Sequence, residues 1–231
     1  MSATTDLNCS TRSRWGHNER VSDIRTIATP HGDARLVSDR SRHPVATLLL
    51  SHGAGAGIDT IDLEALAESL PGQGITVHRL EQPWKVAGRK VASAPSTLDD
   101  ALRAVADKIR PRTPMVLGGR SAGARSAARS ARNLGAAGCL ALAFPLHPPG
   151  RPEKSRADEL RGARVPTLVV QGERDTFGVP DEFPPGTNLA VVPFADHSFK
   201  VPKSAAVSQD DALAILVEAV LEWVVRDIAR A

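Results

Sequence analysis

Gly119-Arg120-Ser121-Ala122-Gly123 places a serine between two glycines in a G-x-S-x-G pattern. The pattern carries information only where it joins a strand to a helix. Here Met115-Val116-Leu117-Gly118-Gly119 reads as a buried strand entering the serine, and an alanine-rich helical stretch leaves it, reaching about Leu134. A serine on such a turn must adopt strained dihedrals, and glycine two residues to either side removes side chains that would collide with the neighbouring strand and helix. The competing reading is a serine that caps a helix in a glycine-rich turn. As a nucleophile, Ser121 would stand at a helix N-terminus, where unpaired amides favour developing negative charge, and the amide of Ala122 is the expected first oxyanion donor.

A tetrahedral oxyanion needs a second donor. The run Val45 to Leu50 reads as a strand that empties into Ser51-His52-Gly53-Ala54-Gly55-Ala56-Gly57, and the amide of Ala54 is the expected contributor. A phosphate-binding loop is the rival, but neither a G-K-[ST] ending nor a G-x-G-x-x-G register is present.

A serine hydroxyl is a poor nucleophile near neutral pH, so a base and an orienting acid are expected, in the order serine, acid, histidine. Only His147 and His197 follow Ser121, and His147 comes before the expected acid and is followed by Pro148-Pro149-Gly150. His197 is therefore the expected base. Thr167 to Asp175 supplies a strand, a glycine turn and two carboxylates; Asp175 is the expected acid, with Glu173 as its rival. Asp196 adjoins His197 in sequence, so its side chain is expected to point elsewhere.

The elements that must hold these residues alternate in type. Further strands are predicted at Ile75 to Leu80, Gly138 to Phe144, Val165 to Val170 and Leu189 to Val192. Helical spacing links Leu63, Leu66, Ala67 and Leu70, then Leu98, Ala101, Leu102, Val105 and Ile109, and finally Leu213, Leu216, Val217, Val220, Leu221, Val224 and Ile228. Strands alternating with helices predict an α/β fold, with a mostly parallel central sheet and helices on both faces.

Hydrophobic residues make up 42% and charged residues 24% of the 231 residues, the balance of a globular chain. Residues 1–19 are polar enough to be expected as a flexible leader, with the domain over 20–231. Lys and Arg outnumber Asp and Glu by 29 to 26, too small an excess to argue for nucleic acid. The densest basic cluster, between Arg12 and Arg42, lacks interleaved aromatics and reads as solvated surface. Two cysteines, Cys9 and Cys139, make neither a disulfide framework nor a metal-ligand spacing, so no metal and no cofactor is expected. No apolar signal region and no run of about 18 apolar residues occurs, so a cytoplasmic protein without a membrane partner is expected. Oligomeric state has no reading in the sequence.

The segments LLLSHGAGAG, GGRSAGAR, LVVQGERDTFG and DHSFKVP resemble those of α/β-hydrolases of the small, dienelactone-hydrolase-like kind. More narrowly, the chain resembles bacterial hydrolases related to a hydrolase-like domain in an animal chromatin-complex subunit. The resemblance covers about residues 20–230. It implies Ser121, Asp175 and His197 as a triad and Gly53 to Gly55 as the oxyanion loop, and marks Arg120, Arg125 and Lys200 as recurrent motif positions without an agreed role.

About 20 residues separate the strands ending near Phe144 and starting near Val165, too few for a large lid. An open, shallow pocket is expected, rimmed by Trp84, Phe144, Phe177, Phe183 and Phe199, with Arg120, Glu81 and Lys200 as polar contacts and Gly53 and Gly55 lining it. The expected chemistry is hydrolysis of an ester or related carbonyl in a small-molecule substrate through an acyl-enzyme. Transfer of the acyl group to another acceptor, and a catalytically silent interaction module on the same fold, are the alternatives.

Overall fold

A computed structural model describes residues 22–230, so the predicted leader lies outside the described residues. Among the described residues, eight strands form one sheet: β1 (Asp23–Thr29), β2 (Gly32–Asp39), β3 (Ala46–Ser51), β4 (Ile75–Glu81), β5 (Met115–Arg120), β6 (Gly138–Leu142), β7 (Thr167–Gly172) and β8 (Leu189–Val192). Their order is β1-β2-β4-β3-β5-β6-β7-β8. β1 pairs with β2 and β2 with β4 in antiparallel fashion; every other pairing is parallel.

Among the described residues, five α-helices lie between strands, α1 (Ile61–Ser69), α2 (Pro83–Val86), α3 (Pro95–Ile109), α4 (Ala122–Ser130) and α5 (Ala157–Arg161), and a sixth, α6 (Gln209–Trp223), follows β8. Parallel strands need crossovers, and a sheet buried on both faces needs helices on both. One core joins α1 and α6 to the sheet through Leu63, Leu66, Leu216, Val220 and Trp223. The other joins α3, α4 and α5 through Leu102, Val105, Ala127, Ala128 and Leu160. The alanines of α4 let that helix pack closely against β5 and β6. Ser208 starts α6, its hydroxyl accepting from the amide of Asp211 at 3.1 Å, the bond that makes serine a favoured N-cap.

The central strands coincide with the predicted apolar runs to within two residues at each end. The hairpin β1–β2 has no counterpart in the sequence reading, because β1 lies at the sheet edge and exposes most of its side chains. Part of the basic cluster taken for plain surface is therefore paired strand, held by backbone bonds that hydropathy does not record. The alanine-rich helix ends at Ser130, short of the predicted Leu134, and turns closed by Leu134 on Ser130 and Ala136 on Ala131 complete the passage to β6. Between β6 and β7 lies only α5 with a short 3-10 turn, so among the described residues this connection builds no lid over the ends of the central strands.

Candidate active site

β5 delivers Ser121 into a turn with φ 53° and ψ −111°, outside the usual regions for a residue with a β-carbon. The turn holds because its neighbours are glycines: a β-carbon on either Gly119 or Gly123 would collide with the backbone carbonyl oxygen of Ser51 at the end of β3. The Ser121 amide donates to the carbonyl of Leu142 at 3.0 Å, which pins the turn to β6.

The structure brings Ser121, His197 and Asp175 together. Nδ1 of His197 lies 2.7 Å from Oδ2 of Asp175, and Nε2 lies 3.0 Å from Oγ of Ser121. A carboxylate can only accept, so Nδ1 carries the imidazole proton and Nε2 accepts from the serine hydroxyl. Asp175 is fully buried, and two further donors hold it. Nε2 of Gln171 donates to Oδ2 at 2.8 Å, and the amide of Phe177 donates to Oδ1 at 2.8 Å. The Phe177 ring stacks on the imidazole at a centroid distance of 4.2 Å.

The rival acids are occupied elsewhere. Glu173 is exposed and accepts the amide of Phe194 at 2.6 Å. Asp196 accepts the amides of Ser198 at 2.7 Å and Lys200 at 3.0 Å, closing the tight loop from which His197 projects. His147 pairs instead with Glu182 at 3.1 Å.

The glycine-rich loop after β3 lies against the elbow. A β-carbon on Gly53 would sit 3.3 Å from Cβ of Ser121, so the absent side chain permits the approach. The imidazole of His52 is buried and bonded at both nitrogens: Nε2 accepts the amide of Gln82 at 3.0 Å, and Nδ1 donates to the carbonyl of Gly53 at 2.7 Å. Burial pushes the His52 pKa down, which keeps the neutral tautomer this pairing requires. The Gly53 carbonyl and the Ala54 amide belong to one trans peptide plane and point in opposite directions. His52 therefore sets the direction of the Ala54 N–H. Among the described residues neither Ala54 nor Ala122 donates its amide to a protein acceptor.

Several expected contacts are corrected. Phe144 and Phe199 have no exposed surface, and Phe183 has 8%; all three are packed in the protein rather than rimming a pocket. Glu81 is buried and bound by Arg35 at 2.8 Å, whereas Lys200, whose backbone closes the histidine loop on Asp196, keeps an exposed side chain, compatible with the expected contact. Arg120 is only 7% exposed and its guanidinium faces inward, so it is not placed to touch substrate. Nη2 of Arg120 donates to the carbonyl of His197 at 2.7 Å and to Oγ of Ser198 at 3.1 Å, while Nε lies 3.7 Å from the fully buried Asp62. Arg125 pairs with Glu159 at 2.6 Å, away from the serine hydroxyl. Gly55 and Trp84 do line a surface recess beside Ala54. Among the described residues, no group of three or more His, Cys, Asp or Glu could hold a metal ion, and no helix is long and apolar enough to cross a membrane.

Gln171, His52 and Asp62 escaped the sequence reading. Each is nevertheless a polar residue inside or beside an apolar run: Gln171 lies near the end of β7, four residues before Asp175, His52 follows β3, and Asp62 interrupts the buried stripe of α1. A buried polar group in such a position must find a partner, and that was the available signal.

A lidless α/β domain with a serine at a strand-to-helix elbow, bonded to an imidazole and through it to a buried carboxylate, is the arrangement of a serine-hydrolase-like fold. The match of residues 44–225 to the model of an alpha/beta hydrolase domain shows that the chain belongs to that family. Among solved structures, it is similar to an α/β serine hydrolase without lid from Xanthomonas campestris (22% identity, TM-score 0.68, covering 91% of this chain and 98% of that one). It is likewise similar to an α/β serine hydrolase homologue from Coxiella burnetii (17%, 0.68, 87% and 96%) and to dienelactone hydrolase from Anabaena variabilis (15%, 0.68, 91% and 100%). At these identities the likeness concerns the fold. A search of curated proteins finds no match.

Proposed function

We propose that the protein is a serine hydrolase that cleaves an ester or related carbonyl bond through Ser121, His197 and Asp175. The observation that carries this is the continuous path from Oγ of Ser121 to Nε2 of His197 at 3.0 Å and from Nδ1 to Asp175 at 2.7 Å, on an elbow with positive φ. As Oγ bonds to the carbonyl carbon, His197 takes the hydroxyl proton at Nε2, and Asp175 stabilises the imidazolium. The carbonyl oxygen becomes an oxyanion, accepting from the amides of Ala122 and Ala54. When the carbon–oxygen bond to the leaving group breaks, His197 returns the proton to that group. Water then attacks the acyl-serine with the same imidazole as base, releasing the acid and restoring the serine.

The narrower kinship, to bacterial hydrolases related to a hydrolase-like domain of an animal chromatin-complex subunit, rests on the four motif segments and is part of this proposal. So is a small-molecule substrate, which suits a site with no lid over it.

A fluorophosphonate probe tests the reading. Wild type is expected to be labelled and to hydrolyse short p-nitrophenyl esters, while a folded Ser121→Ala variant does neither. Labelling that persists in Ser121→Ala removes Ser121 as nucleophile; no labelling of folded wild type removes the hydrolase reading.

A further inference from the structure

A second imidazole paired with a carboxylate stands one loop away from the first. His147 follows β6 and is only 5% exposed. Its Nδ1 lies 2.9 Å from the carbonyl oxygen of Pro148, and its Nε2 lies 3.1 Å from Oε2 of Glu182. Neither partner has a hydrogen to give, since a carbonyl oxygen and an ionised carboxylate only accept. A neutral imidazole carries one ring proton, so it satisfies one of the two and turns a lone pair on the other. Only the imidazolium makes both bonds.

The surroundings agree with that state. The bond to Pro148, and after it the bond and charge of Glu182, raise the His147 pKa above the ordinary 6.5, against the opposing effects of burial and of Arg156. Arg156 immediately precedes α5, and its guanidinium donates to the Pro145 carbonyl at 2.9 Å. Glu182 in turn is held below the usual carboxylate range, first by His147 and then by the amide of Val179, which donates to the same Oε2 at 2.8 Å.

The pair joins two loops that shape the candidate active site. Beside it the His147 amide donates to the carbonyl of Phe177 at 3.0 Å, and the missing side chain of Gly178 leaves room for Leu146. Phe177 is where this contact reaches the triad: its ring stacks on His197 at 4.2 Å, and its amide donates to Oδ1 of Asp175 at 2.8 Å. Both ring nitrogens of His147 are engaged with Pro148 and Glu182, so His147 acts through Phe177 rather than on substrate.

We propose that His147 is a positioning residue for the reaction: its imidazolium ties the loop after β6 to residues 175–182, keeps Phe177 against His197 and Asp175, and releases that segment when it loses its proton in alkaline solution. This rests on the hydrolase reading above. Because the folded-state pKa is raised, the contribution of the pair is complete below pH 6.5 and is lost as the pH rises through the folded-state value.

The test follows kcat/KM for p-nitrophenyl acetate from about pH 6 to 10, beside the His147 pKa read from its ring resonances by NMR, in wild type, His147→Gln and Glu182→Gln. In wild type, kcat/KM is expected to rise as His197 loses its proton and then to fall about two- to fivefold as His147 loses its own, the size given by a half-exposed charge pair. Glu182→Gln keeps the shape and removes the charge, and should move the His147 pKa and the alkaline fall to lower pH together. His147→Gln cannot carry the charge and should sit at the lower level with no fall. A merely structural pair would lower activity in both variants without moving a limb. A wild-type His147 pKa at or below 6.5, no alkaline fall in wild type, a fall that persists in folded His147→Gln, or a fall that stays in place in Glu182→Gln overturns the proposal.

Failure of the hydrolase reading shows separately, as folded wild type that no fluorophosphonate labels. The His197 ring resonances then report the coupling alone. A second inflection at the His147 pKa, lost in His147→Gln, supports it; an inflection absent from wild type, or kept in that variant, overturns it.

Discussion

The guanidinium of Arg120 donates to the backbone carbonyl of His197 at 2.7 Å, so the residue just before the candidate nucleophile holds the loop that carries the candidate base. The same side chain lies 3.7 Å from Asp62, whose carboxyl is fully buried and pushed above the usual range by burial more than Arg120 lowers it. β5, α1 and the histidine loop therefore meet at one cation. Arg120→Lys keeps a charge near Asp62 but loses the planar fork, and is expected to lower kcat/KM about tenfold with little change in melting temperature. Arg120→Met also leaves Asp62 without its cation, and is expected to cost about 3 kcal/mol in stability. Chemical denaturation and ester kinetics on both variants separate the two roles; equal activity in Arg120→Lys and wild type would remove the positioning role.

The pairing of His52 with the Gly53 carbonyl predicts an effect on transition-state binding. In His52→Ala the Gly53–Ala54 peptide is free to rotate, and kcat should fall about tenfold to hundredfold, below the roughly 10²–10³ lost when an oxyanion donor is removed outright. KM should change little. A raised KM with unchanged kcat would show instead that His52 shapes substrate binding.

Two glycines of neighbouring motifs should behave differently. Gly123→Ala drives a methyl group into the carbonyl of Ser51, and neither backbone can withdraw without moving the sheet or α4. A loss of roughly 1–3 kcal/mol or more is expected. Around Gly55 no atom lies within 4 Å of an added β-carbon, and Gly55→Ala should leave the melting temperature within about a degree or two. Comparable losses in both variants would contradict the close packing assigned to the elbow.

Stability should fall in mild acid through His78. Its ring is buried on β4, with Nδ1 2.8 Å from the Ser38 hydroxyl, and burial, aided by Arg40 and Arg25, lowers its pKa from 6.5 to about 4. Between these values the unfolded chain binds a proton that the folded one refuses. The contribution, roughly 3 kcal/mol, is complete above pH 6.5 and lost progressively as the pH drops toward 4. His52, also lowered, acts in the same direction. Urea denaturation at pH 7.5 and 5.0 should show the loss, and His78→Gln should reduce it; a slope unchanged in that variant would assign the acid sensitivity elsewhere.

The sequence by itself determined the order of the central elements and three of the residues that meet at the elbow. Buried parallel strands are short apolar runs and their crossovers are amphipathic helices, so hydropathy records both, and Gly119, Ser121 and Gly123 mark the one sharp turn between them. Asp175 and His197 could be placed because chain order leaves few candidates. Only the tertiary structure decided what lies beyond local pattern. The β1–β2 hairpin is stabilised by pairing at an exposed edge, which leaves little periodicity. The aromatics Phe144 and Phe199 are apolar whether they rim a pocket or fill a core, so only packing separates the two. Arg120 bonds to residues 77 and 78 positions away, and Gln82 reaches the ring of His52 across 30. Such contacts depend on which strand ends the sheet brings side by side, and no spacing along the chain encodes them.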